Sequence, residues 1–273
     1  MRGKNFYEII YITLKDSKRS INYFNYLNSI NLIAKPFYGY DFRKLSPLTE
    51  FKNFSKKMFS KRYRRNPTCS EIGCSLSHLK AIKLSDSSEP LIILEDDALL
   101  KVKLREFLKI VELIKNTDRY EIVIFGFSKC DVISDYELNI VNPFLPLLRL
   151  KDSKYSIGER LIHSTSGALG YYLSPSAKRK ISSLEKIFHV ADDWSFYSNL
   201  GLKIGYVYPS IVIEDLDQKS TLNHNEKYFR PSKSNYKLIN NLFFYRRYLI
   251  GLIRKILLIF KVNILDKIKF ISV

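Results

Sequence analysis

Three consecutive carboxylates, Glu95-Asp96-Asp97, follow the short apolar run Leu91-Ile-Ile-Leu94. Like charges at the end of a buried strand repel one another and gain nothing from burial, so a bound divalent cation, Mn²⁺ or Mg²⁺, is the natural compensation. Asp97 is the expected principal ligand, with Glu95 beside it and His224, from a distant polar stretch, completing the shell. An ion held this way suits a diphosphate, because negative charge builds on that group when a sugar nucleotide breaks at its anomeric carbon. A continuing strand points Glu95 and Asp97 to one side, whereas a turn at Asp96 brings all three carboxylates to the same place. Further on, Asp192-Asp193-Trp194 offers a second acidic pair. Transfer to a sugar hydroxyl needs a general base within hydrogen-bond reach, a role either aspartate can fill, with Trp194 stacking on a sugar face. The same triplet also reads as an aspartate N-cap ahead of a core tryptophan. His78, on a helix, is as natural a structural histidine as a functional one.

These groups need elements to hold them. The apolar, β-branched run 6–13 predicts a buried first strand, followed by an amphipathic helix over 17–30 and a short strand over 32–37, the βαβ opening of a nucleotide-binding half. The stretch 43–67 is basic and aromatic without a firm period and reads as an acceptor-side excursion with one short helix. Thr68 and Glu71 have capping-box spacing, so a helix starts there and runs to about Ser85, carrying Gly73, Ser77 and His78. Pro90 breaks the chain before the strand 91–94, which has the look of a central parallel strand. A helix over 104–115 and strands over 121–127, 163–173 and 204–208 continue the alternation. Ser174-Pro175 caps a further helix, read as reaching Ile187. In open α/β sheets ligands collect beyond the carboxyl ends of the strands, where the acidic triplet stands.

With 273 residues and 46% hydrophobic content, the chain suits one α/β domain over 1–235 and a basic amphipathic helical tail over 236–273. The tail is rich in Leu and Ile but interrupted by Arg254, Lys255 and Lys261, so it is expected to lie on an anionic membrane surface or to pack on the domain, not to span a bilayer. The net charge of +18 implies a polyanionic partner. A nucleic-acid-binding protein is the rival reading and predicts a continuous basic groove, which the acidic clusters oppose. Cys69, Cys74 and Cys130 form no CxxC pair, so neither a disulfide framework nor a zinc site is expected, and the N-terminus has no signal-peptide core, so the expected location is cytoplasmic, peripheral on the inner membrane.

The blocks Thr68-Cys-Ser-Glu71-Ile-Gly73-Cys74-Ser-Leu-Ser77-His78, Ile92-Ile-Leu-Glu95-Asp96-Asp97-Ala98, Gly167-Ala-Leu-Gly-Tyr171-Tyr-Leu-Ser174 and Asp192-Asp193, in this order, resemble glycosyltransferase family 25, over about residues 6 to 225. The resemblance implies a GT-A-like, single Rossmann-type fold, a UDP-sugar donor, usually UDP-galactose, and inverting transfer to a lipooligosaccharide or other glycolipid acceptor. It implies that Glu95, Asp96 and Asp97 form the metal and donor motif, that Thr13, Arg19, Asp41, Ser77 and His78 lie on the donor side, and that Asp193 or Asp192, with Tyr171 and Trp194, faces the acceptor. The sequence departs from the family pattern at Thr13-Leu14, where Asn-Leu is usual, and at Phe42, where glycine is expected. A member that has lost catalysis and acts as a scaffold is a further reading, opposed by the intact carboxylates.

Overall fold

Strand β1 (Glu8–Thr13) sends alternate side chains to opposite faces, and both faces are apolar, so the sheet must be covered on both sides. Ile9 and Tyr11 pack with helices α1 (Lys18–Ser29) and α4 (Leu104–Thr117). Ile10 packs on the other face with α2 (Lys56–Tyr63), α3 (Cys69–Leu84), α6 (Pro175–Ser182) and α7 (Trp194–Asn199). The computed structural model describes residues 7–43, 45–46, 49–128, 134–163, 167–215 and 240–271, without the side chains of 240–245 and 262–271.

The eight-stranded sheet has the order β2-β1-β3-β8-β5-β9-β7-β6. Strand β1 lies parallel to both β2 (Lys35–Tyr38) and β3 (Leu91–Glu95), while β8 (Gly170–Leu173) runs antiparallel between β3 and β5 (Ile122–Ile124). Strand β9 (Ile204–Tyr208) is parallel to β5, and the hairpin of β6 (Phe144–Arg149) and β7 (Ser156–Arg160) closes the edge. A separate ribbon pairs β4 (Ala98–Leu100) with β10 (Val212–Glu214). The carboxyl ends of β1, β2 and β3 and the amino end of β8 therefore meet along one edge.

Helix starts were written locally. The capping box of Thr68 and Glu71 closes as its spacing predicts, and Ser174 caps α6 with Pro175 in its first turn. Four expectations need correction. Of the strand expected over 163–173, residues 164–166 lie outside the described residues and the described part forms strand only at Gly170–Leu173; the strand expected over 121–127 shortens to Ile122–Ile124, helix α6 ends at Ser182 rather than Ile187, and the mixed sheet places an antiparallel strand beside β3. The β6–β7 hairpin, the short helix α5 (Asp135–Val141) and the β4–β10 ribbon were not foreseen.

Helix α8 (Asn240–Ile271) packs against α5 and β6 along one seam, where Leu258 is buried and Arg254 Nη1 donates to the Val141 carbonyl at 2.5 Å. Leu252, Ile256, Ile259 and Phe260 stay exposed on its other side. Among the described residues no helix is long and apolar enough to cross a membrane.

His189, 2% exposed, stacks on Phe196 with ring centroids 3.9 Å apart, and burial pushes its pKa down to about 4. The unfolded chain binds a proton near pH 6.5 that the native state refuses, so this site leaves stability intact above about pH 6.5 and erodes it as pH falls towards about 4, by about 3 kcal/mol at most. His189→Phe keeps the stack. Its melting temperature should decline less than that of the wild type between about pH 7 and about pH 4.

Candidate active site

Asp16 adopts a left-handed φ of 57° and Ser17 caps α1 by accepting from the Ser20 amide, so the chain reverses directly out of β1. This puts Arg19 in the first turn of a helix, where the macrodipole disfavours a cation. The acidic turn after β3 compensates it. Arg19 Nη2 reaches Asp96 Oδ1 at 2.6 Å and Asp97 Oδ2 at 2.7 Å, with all three side chains less than one-sixth exposed. Thr13 Oγ1, at the end of β1, donates to Asp96 Oδ2 at 2.7 Å. The turn at Asp96 and Asp97 thus gathers the triplet at one place, and an internal guanidinium supplies part of the positive charge expected from a metal.

The compensation is incomplete. Asp97 Oδ1 is buried without a hydrogen-bond partner, and burial together with the Glu95 charge pushes the Asp97 carboxyl up to about 7 against the pull of Arg19. Asp96, also raised by burial, is opposed by Arg19 and Thr13. The Asp97 carbonyl accepts from the Asp215 amide at 2.7 Å, and β10 pairs Glu214 with Ala98, so two further carboxylates stand at the same edge. A hard cation such as Mg²⁺ commonly takes one or two protein carboxylates and completes its shell with water and phosphate oxygens. The free Asp97 oxygen amid this negative charge fits that demand.

Helix α3 approaches from the other side of the sheet. A Cβ at Gly73 would stand 2.9 Å from the Tyr40 carbonyl, so glycine is what lets the helix close on the loop after β2. Ser77 is buried, donating to the Gly73 carbonyl at 2.6 Å and accepting from the Tyr40 amide at 2.8 Å. His78, 2% exposed, places Nδ1 2.7 Å from the Tyr171 hydroxyl and Nε2 3.3 Å from Glu95 Oε1.

The second acidic pair divides sharply. Asp193 caps α7 by accepting from the Phe196 amide at 3.0 Å, and it also accepts from Arg62 Nε at 2.6 Å, from Arg62 Nη2 at 2.9 Å and from the Tyr63 hydroxyl. Burial alone raises its pKa, but these bonds outweigh burial and hold the carboxyl below its usual range. Asp192 accepts from the Gly167 amide at 2.5 Å, where φ of 91° requires glycine. Burial, with the Glu95 charge adding to it, raises the Asp192 carboxyl against that bond and one from its own backbone amide.

Several expected roles change on this geometry. Trp194 and Tyr171 are 1% and 3% exposed and meet edge to face at 5.2 Å in the core, so neither offers a face to an acceptor sugar. The N-cap and core-tryptophan alternative describes Asp193 and Trp194. Thr13 and Ser77 are buried props for Asp96 and the Tyr40 loop, and Asp41 pairs with Arg43, both exposed. His224 lies outside the described residues. Arg19, Glu95, Asp96, Asp97, His78 and Asp192 do converge at one edge. Cys74, Glu214 and Asp215 were missed, although Cys74 lies one helical turn before His78 and the acidic pair follows an apolar run just as Glu95 does.

A family model described as glycosyltransferase family 25 (LPS biosynthesis protein) matches residues 6–196. No curated protein matches the chain. Among solved structures the chain is similar to A197 from STIV, at 10% identity over 80% of this chain and 98% of that one, with a TM-score of 0.33.

Removing Arg19 leaves two largely buried carboxylates facing each other. Arg19→Met should lower unfolding free energy near neutral pH by about 3 kcal/mol, read by urea denaturation. Asp41→Asn, which removes an exposed pair, should change it by less than about 1 kcal/mol.

Proposed function

The chain belongs to glycosyltransferase family 25, and from that premise we propose that it transfers a hexose, galactose from UDP-galactose, with inversion to a β linkage, onto a lipooligosaccharide or another surface glycan. The observation that carries this reading is the unequal treatment of the acidic pair. Asp193 is held by a guanidinium, a hydroxyl and an amide, whereas Asp192 accepts only from backbone amides and its affinity for a proton is raised by burial and by Glu95. A carboxylate of that kind is suited to take the proton of an attacking hydroxyl, because base strength grows as its pKa approaches the working pH. Asp192 is therefore assigned as the general base, and Asp193 as the residue that fixes α7 and the Arg62 end of helix α2 around it.

Inverting transfer needs the acceptor oxygen and the leaving diphosphate on opposite sides of the anomeric carbon. The donor diphosphate is assigned to the Arg19 and Asp97 side, with Asp97 as the principal protein ligand of Mn²⁺ or Mg²⁺; such an ion, when bound, stabilises charge on the departing oxygen. Arg19 keeps the acidic turn in position before any ligand arrives. The parallel β2-β1-β3 unit interrupted by antiparallel β8 supports a GT-A-like reading of the fold, with the donor at the carboxyl ends of β1 and β3.

On the outer face of α3 a groove of about 420 Å³ is lined by Tyr40, Phe42, Phe51, Lys52, Lys80 and Lys83. Its rings stack at 5.1 and 4.8 Å, and Lys80 sits 4.8 Å above Tyr40. Aromatic faces rimmed by ammonium groups suit a phosphorylated glycan, so the acceptor is proposed to enter along this side. The exposed apolar side of α8, flanked by Lys and Arg, is proposed to rest on the anionic cytoplasmic leaflet of the inner membrane. The rival reading as a nucleic-acid binder has less support, because Arg19, Arg62 and Arg65 are engaged with carboxylates.

Asp192→Asn should lower kcat for hexose transfer by about 10²–10⁴ with UDP binding retained. Full transfer by that variant, alongside a folded but inactive Asp193→Asn, would show that the base has been assigned to the wrong aspartate.

A further inference from the structure

Cys74 and His78 are separated by one turn of α3 and point to the same side, where β3 ends at Glu95. The Cys74 sulfur, a His78 ring nitrogen and a Glu95 carboxylate oxygen all lie within 4.8 Å of one another. His78 is 2% exposed and its Nε2 is buried with no hydrogen-bond partner, although Glu95 Oε1 stands only 3.3 Å away. When Nδ1–H donates to the Tyr171 hydroxyl, Nε2 presents a lone pair to a carboxylate, and two acceptors face each other. A shared cation resolves that contact.

The spacing fits a particular kind of cation. Zinc–nitrogen and zinc–oxygen bonds of about 2.0–2.1 Å at a tetrahedral angle place the two ligand atoms about 3.3 Å apart. That is the separation found between Nε2 and Oε1. A thiolate beside an imidazole and a carboxylate selects a softer ion than Mg²⁺ or Mn²⁺, and the Tyr171 hydroxyl oxygen, 2.7 Å from Nδ1, is placed to accept the outer hydrogen bond that a metal-bound histidine donates. Glu95 is about one-quarter exposed, which leaves a route in from solvent and a fourth position for water.

We propose that Cys74, His78 and Glu95 form a Zn²⁺ site with a water as fourth ligand, separate from the hard-cation position at Asp97. Binding replaces the thiol proton of Cys74 with the metal–sulfur bond and releases that proton to solvent, with no change of oxidation state. The proposal does not depend on sugar transfer, since it concerns metal binding alone.

The test uses the full-length chain, reduced and stripped of metal, titrated with Co²⁺ as a spectroscopic stand-in and then with Zn²⁺. The expected result is one equivalent of tetrahedral Co²⁺ with a thiolate-to-metal charge-transfer band, displaced by Zn²⁺ and not by excess Mg²⁺. Cys74→Ser should abolish the band and Cys69→Ser should leave it intact, while His78→Gln and Glu95→Gln should weaken binding by tenfold or more. Circular dichroism of each variant separates loss of the site from loss of the fold. A folded wild-type chain without the charge-transfer band, or a band that survives Cys74→Ser, overturns the proposal.

Discussion

One guanidinium reaching two adjacent aspartates sets the layout of this site. Arg19 stands in the first turn of α1, a poor place for a cation, and Asp96 and Asp97 stand at the end of a buried strand, a poor place for anions. Each placement is tolerated because of the other. Thr13 closes the arrangement from β1, so the two parallel strands that begin the sheet are tied together at the edge where ligands collect. The bridge uses one oxygen of Asp97 and leaves the other buried and unpaired, in a field made more negative by Glu95 and Glu214. The site is thus preorganised but short of positive charge, a suitable starting condition for taking up a diphosphate together with its cation.

Across the sheet edge, Asp193 takes on the structural duties of its sequence position. By capping α7 and binding Arg62 and Tyr63, it joins the basic helix α2 to the end of the domain's core. Asp192 is released from those duties, held by the Gly167 amide and its own backbone amide and exposed to the charge of Glu95. Helix α3 works on two faces at once. Its inner face brings Cys74 and His78 to Glu95, and its outer face forms one wall of the aromatic and lysine-lined groove. Ser77 and Gly73 fix the distance between that helix and the loop after β2.

Much of this was legible in the residues. Caps are local, so Thr68 with Glu71 and Ser174 with Pro175 marked their helices correctly, and the apolar run ending in three carboxylates marked the edge where Arg19 and His78 meet them. Other features depend on partners distant in the chain. Nothing near Trp194 shows that Tyr171 will pack against it and bury both rings, and nothing near Asp193 shows that Arg62, 131 positions away, will saturate it. The β6–β7 hairpin escaped notice because its strands are short and β7 carries a glycine and two charged residues. The internal cation was visible only as a basic residue after the first strand. Pairing it with the triplet required the reversal at Asp16 and Ser17 that aims it back over the sheet.

In the function proposed, the unpaired oxygen of Asp97 takes part in binding a nucleotide diphosphate with a hard divalent cation. Calorimetric titration of UDP into the chain with Mn²⁺ present and absent, for the wild type and for the isosteric Asp97→Asn, tests it most directly. The expected result is Mn²⁺-dependent binding in the wild type, weakened at least about tenfold in Asp97→Asn, a loss of about 1.4 kcal/mol or more. Equal affinity of the two proteins for UDP with Mn²⁺ would contradict it.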